Sequence, residues 1–124
     1  MAGYMVQVQK YITEGMRTII IEWLFEVAED RRFFQETLFC TVTYIDKYLS
    51  VRILPRQDLF QHLAVSSMLI ATRYKTQPAS LEYFRGKSLY TYTVEEAVEM
   101  QSDVSIVIKD EMRNHTIILF LRYE

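Results

Sequence analysis

The sequence predicts an all-α fold: five helices in one bundle, followed by the beginning of a further helix. Three observations carry this. Only 3 glycines and 2 prolines occur in 124 residues, which suits long helices and short connections better than a β-sandwich. Apolar residues recur at spacings of three and four along most of the chain, as on the buried face of a helix. Helix-start signals, Thr13 and the pair Thr93 and Glu96, stand just ahead of such stretches.

Residues 1–15 read as an arm leading into the first helix, with Thr13 as its N-cap. That helix covers about 16–29, MRTIIIEWLFEVAE, and is apolar around most of its circumference, which predicts a central place in the bundle. The second spans about 35–51, with Leu38, Val42, Ile45 and Leu49 forming its core stripe. Pro55 separates it from a third at 57–75, whose centre, AVSSMLIAT, is small and apolar and suits packing on several sides. After Pro78, residues 79–86 predict a short fourth helix. Thr93 and Glu96 form a capping box that opens a fifth helix over 94–107. A linker then leads into another apolar helical start, TIILFL, within 108–124. There is no internal repeat and no low-complexity tract.

Composition narrows the function. Half of the residues are hydrophobic and 14% are aromatic, enough for one domain with a packed core. A net charge of −2 leaves no electrostatic footprint for nucleic acid. Apolar runs reach about six residues, too short for a membrane span, and no secretory leader is visible. Cys40 is the only cysteine, which rules out an internal disulfide and favours a reducing, intracellular setting. His62 and His115 stand alone, outside any metal-ligand spacing, and His62 reads as a packing or edge residue. No nucleophile constellation, metal-ligand spacing or Gly-rich phosphate loop appears, so an enzyme has no residue in its favour. Arg56-Gln57-Asp58-Leu59 matches a minimal R-x-x-L pattern and is taken as the coincidence of a helix start.

The sharpest local question is Asp46 in YIDKYLS (44–50). At ~100° per residue it lies ~40° from Val42, within the stripe that faces the core. A carboxylate there needs a partner. Arg17, on the apolar face of the first helix, is the natural cation, and the two repair each other if they meet. Spacing alone equally allows Arg17 to snorkel to water and Asp46 to border solvent.

The order of residues goes further. Met16-Arg17, Ile20, Trp23-Leu24, Phe33, Leu38, Thr41-Val42 and Tyr44-Ile45-Asp46-Lys47-Tyr48 resemble the cyclin-box signature across 16–48. The resemblance extends to GYM near residue 3, IT before MR, QETL at 35–38, the small apolar third helix and the TIILFL tail. It is greatest to A/B-type mitotic cyclins. It implies an N-terminal arm (1–15), a five-helix cyclin box (16–107), and a linker with the first helix of a second box (108–124). It implies that Arg17 and Asp46 form a buried structural ion pair between the first two helices.

The resemblance also implies a regulatory subunit that binds and activates a cyclin-dependent kinase in cell-cycle control, in nucleus and cytoplasm. A docking groove for Arg-x-Leu segments of substrates or inhibitors would be lined by Met16, Ile19, Ile20, Trp23, Phe60 and Gln61, with Glu26 meeting the arginine. From composition alone, Met16 and Trp23 read first as core residues of a crowded bundle, and it is the resemblance that favours the groove. Kinase contact would fall to Arg73, Tyr74 and Gln101. Here the chain departs from the family pattern. Arg73 replaces the usual lysine, Gln101 the usual glutamate, Lys75-Thr76 an acidic pair, and Asp110 an apolar contact. These changes leave room for an alternative: a cyclin-box interaction scaffold that activates no kinase. The apolar tail adds an expectation of self-association through 111–124.

Overall fold

A computed structural model describes residues 9–75, 77, 79–87 and 92–122, with side chains as far as Lys109, that of Arg85 excepted. Five helices are present among them: α1 (Glu14–Arg31), α2 (Gln35–Val51), α3 (Asp58–Tyr74), α4 (Leu81–Lys87) and α5 (Val94–Arg122). The all-α bundle expected from the sequence is what forms.

The caps explain the boundaries. Thr13 is extended, and its hydroxyl accepts from the Met16 N–H at 3.2 Å, so α1 starts two residues earlier than its apolar pattern. At the other end Arg32 takes a left-handed conformation, φ 55°, and the Phe33 N–H reaches back to the Ala28 carbonyl at 2.9 Å. The capping box of α5 is complete. Glu96 N–H donates to the Thr93 hydroxyl at 3.1 Å, and Thr93 N–H donates to the Glu96 carboxylate at 3.3 Å.

Two ends of α2 are closed from far away in sequence. The Gln77 side-chain oxygen accepts from the Phe34 N–H at 3.0 Å and from the Thr37 hydroxyl at 2.8 Å. At the C-terminal end, buried Gln9 donates to the carbonyls of Leu49 (2.8 Å) and Arg52 (2.6 Å) and accepts from the Leu54 N–H (3.2 Å). Those are orphan groups that a helix end must satisfy somewhere. Leu54 is thereby pinned in the core and the α2–α3 connection is fixed.

α3 is the centre. It is buried along nearly its whole length and makes the broadest interfaces, with α2 and then with α5. Ser66 and Ser67 at its middle are fully buried, small enough to let neighbouring helices approach closely. Around it pack Leu24 and Val27 of α1, Ile45 and Leu49 of α2, Phe84 of α4, and Ala97 and Val104 of α5.

Two expectations are corrected. α1 is peripheral: it buries only Leu24, Val27 and Ala28 and leaves Ile19 and Phe25 exposed. Its all-round apolarity is surface, not core. α5 does not stop at 107; it runs unbroken to Arg122, because KDEMR at 109–113 contains no glycine or proline to end it. No linker separates 94–107 from the helical start beyond. Residues 1–8, Thr76 and the side chains of 110–124 lie outside the described residues.

Candidate functional site

α1 and the first turn of α3 enclose an apolar trough of about 240 Å³. Met16, Ile19, Ile20 and Trp23 recur at helical spacing along one side of α1 and form one wall. Gln57, Phe60 and Gln61 form the other. Phe60 is 1% exposed and Gln61 6%, so both belong to the floor, whereas Ile19, 65% exposed, stands at the rim. An apolar side chain held open to water in this way is surface that a partner can cover.

Six of the seven groove residues expected from the sequence therefore share one cavity. Glu26 does not line it; it is exposed on α1, three residues beyond Trp23, or about 4.5 Å along the axis. Gln57 was not anticipated. Its signal was available, since it sits three and four residues before Phe60 and Gln61 and must share their face.

The trough depends on the angle at which α1 leaves the bundle. Arg17 and Asp46 set it: Nε donates to one carboxylate oxygen at 3.2 Å and a terminal nitrogen to the other at 2.9 Å. The pair is bidentate, the strong form of this interaction. It is not fully buried as expected, for the two side chains retain 29% and 31% of their exposure. It sits at the edge of the α1–α2 interface, beside the core.

At the opposite end of α3, Arg73 and Gln101 are brought together. The Arg73 guanidinium donates to the Gln101 side-chain oxygen and, at 3.3 Å, to the Leu69 carbonyl. Its charge in the last turn of α3 is favourable against the helix dipole. Tyr74 beside it is exposed, and half-buried Lys75 closes the helix with its N–H on the Ala71 carbonyl at 3.1 Å. Among the described residues no three His, Cys, Asp or Glu side chains come together as metal ligands, and no helix is long and apolar enough to cross a membrane.

The described residues form a helical bundle with an apolar trough on one flank, and comparison with known proteins gives its family. The family model "Cyclin, N-terminal domain" matches residues 1–117, and the chain belongs to the cyclin family. Among its relatives, Cyclin-A3-1 of Oryza sativa subsp. japonica is 43% identical over 122 residues, covering 98% of this chain and 32% of that protein. The G2/mitotic-specific cyclin C13-1 of Daucus carota is 40% identical over 124 residues, covering 99% and 36%. These carry A-type and mitotic cyclin names, in keeping with the resemblance in the signature residues. The chain spans about a third of the length of these curated relatives. The fold is similar to that of a viral cyclin from herpesvirus saimiri, with a TM-score of 0.73 at 20% identity, over 85% of this chain and 46% of that one.

Proposed function

We propose that this chain is the N-terminal box of a regulatory subunit, not itself an enzyme, that binds and activates a cyclin-dependent kinase in cell-cycle control. The observation that carries the reading is the trough, joined to membership of the cyclin family: Met16, Ile19, Ile20 and Trp23 face Phe60 and Gln61 across it. It docks an Arg-x-Leu segment of a substrate or inhibitor, the leucine against the apolar floor and the arginine toward exposed Glu26 at one end. Arg73, Tyr74 and Gln101 form the kinase-facing surface, and nucleus and cytoplasm are the compartments this role requires. Residues 108–124, which continue α5 as far as Arg122, lead toward a second box, and the apolar sequence run 117–121 is the candidate for self-association.

A second reading has its own observation. Arg73 already directs two of its five donors to Gln101 and Leu69 within the chain, and Gln101 carries no charge. A scaffold that holds partners without activating a kinase is consistent with that.

Two assays separate the readings. Fluorescence anisotropy with a labelled Arg-x-Leu peptide should show binding that Trp23→Ala weakens by at least about tenfold, as for loss of a central aromatic anchor. Co-purification with a cyclin-dependent kinase, followed by assay of peptide phosphorylation, should show activation that Arg73→Ala abolishes. Peptide binding without any kinase activation would establish the scaffold. Unchanged peptide binding by Trp23→Ala would refute the groove.

A further inference from the structure

The first turns of α2 carry a second apolar feature, separate from the trough. Phe39 is 74% exposed, the most open of the large apolar side chains among the described residues. A single exposed ring is ordinary on a protein surface. What sets this one apart is the cavity next to it.

That cavity measures about 200 Å³ and lies between α1 and the start of α2. Phe25, Ala28, Phe33 and Leu38 give it apolar walls. Phe25 is itself 53% exposed, so the walls are open to water. An apolar cavity of about 150 Å³ accepts a benzene ring, so the space suffices for one phenylalanine side chain. Phe39 does not line it, but Gln35 does, and Gln35 also lines the depression beside Phe39. At ~100° per residue, Gln35 and Phe39 stand only ~40° apart on α2. Knob and hole are neighbours on one face.

Charge is arranged to match. Glu36, three residues before Phe39, is exposed on the knob side. Arg32 is exposed at the edge of the hole. Neither takes part in an ion pair among the described residues. A second pair of charges has the same order, with Lys75 beside the knob and Glu29 beside the hole.

A patch that holds a knob and a hole, each flanked by the charge that suits the other, is complementary to a copy of itself. We propose that this chain forms a two-fold dimer in which Phe39 of each copy fills the α1–α2 cavity of the other and Glu36 of each faces Arg32 of the other. In such a contact every interaction occurs twice. Two rings and their rims bury little surface, so the dimer is weak and depends on concentration. The patch shares no residue with the trough or with the run 117–121, so its failure leaves the docking reading untouched.

The test is sedimentation of the full chain at concentrations up to about 1 mM, the weak end of specific association, with variants run alongside. The wild type should pass from monomer to dimer and go no further. Phe39→Ser alters a side chain outside the core, so the melting curve should hold while association weakens by at least about tenfold. Glu36→Lys and Arg32→Glu should each weaken it by about fivefold, since like charges then meet at two places. The double variant Glu36→Lys/Arg32→Glu should recover the wild-type constant to within about twofold, because the swapped pair attracts again. That recovery does not depend on Phe39 and is not expected of a surface that merely sticks. A monomer at every concentration would overturn the dimer and leave the face to a different protein. Association that ignores Phe39→Ser but is lost in Leu119→Ser would place self-association in the tail and overturn it too, as would a double variant weaker than either single one.

Discussion

Truncating Asp46 to alanine tests how the α1 wall is held. Removing one partner of a fully buried ion pair costs about 3–5 kcal/mol, because the other charge is left stranded. An exposed pair is worth about 0–1 kcal/mol. Here the two side chains are 29% and 31% exposed and joined by two hydrogen bonds, which places the expected loss between these limits, near 2 kcal/mol. For a domain of this size that is a fall in melting temperature of about 8 °C. Both residues have other interactions besides the pair. A double-mutant cycle with Arg17→Met is therefore needed to isolate their coupling, expected at about 1.5 kcal/mol. The apolar double variant Arg17→Met/Asp46→Leu should recover much of the loss, since no charge is left without its partner. Chemical denaturation of the wild type, the two single variants, the Arg17→Met/Asp46→Ala double that closes the cycle and the apolar double variant supplies the numbers. A loss below about 0.5 kcal/mol for Asp46→Ala, or coupling indistinguishable from zero, would refute the view that this pair sets the α1–α2 angle.

Gln77→Ala should cost about 1–2 kcal/mol in a urea titration, because it strips the cap from α2 and leaves the buried Thr37 hydroxyl without its acceptor. Gln77→Glu, which keeps an acceptor at a helix N-terminus, should retain most of that stability. Arg32→Gly should stabilise the fold by about 1 kcal/mol, measured the same way, since a left-handed backbone strains a residue with a Cβ. Stability should decline as pH falls below about 6.5, where the unfolded chain protonates His62 while burial keeps the folded one neutral. Denaturation midpoints between pH 8 and 5 should show that slope reduced in His62→Phe, and identical slopes would count against the buried neutral ring.

What the sequence disclosed was whatever a helix writes into its own periodicity. α2 was expected at 35–51 and forms at Gln35–Val51, because its stripe and its flanking breaks are local. The caps from Gln9 and Gln77 had no such signal, since each acts on residues some forty positions away. The extent of α5 was missed because the resemblance implied a linker ahead of the TIILFL start, although nothing in the backbone required an ending. α1 shows the opposite error. Four of its apolar residues face the trough, so counting them as core made a peripheral helix look central. Arg17 and Asp46 were paired through the family signature, for their spacing left solvent as an equal alternative. Glu99 and Asp103 were passed over, since only the fold brings them beside His62 and Tyr48.

α3 connects these features physically. Its first turns supply Phe60 and Gln61 to the trough and His62 to the lining of the acidic cavity that Glu99 and Asp103 border, and its last turn supplies Arg73. From Gln61 to Arg73 is twelve residues, about 18 Å along one axis. Between them nearly every residue is buried and close-packed, so the helix has no room to bend or slide without opening voids. Sites mounted on such an element keep a fixed separation, and a segment bound in the trough lies at a set distance from whatever binds at Arg73. One rigid helix holds the trough, the acidic cavity and the polar end of α3 in constant register, which is the geometry that the proposed docking and kinase contact would need.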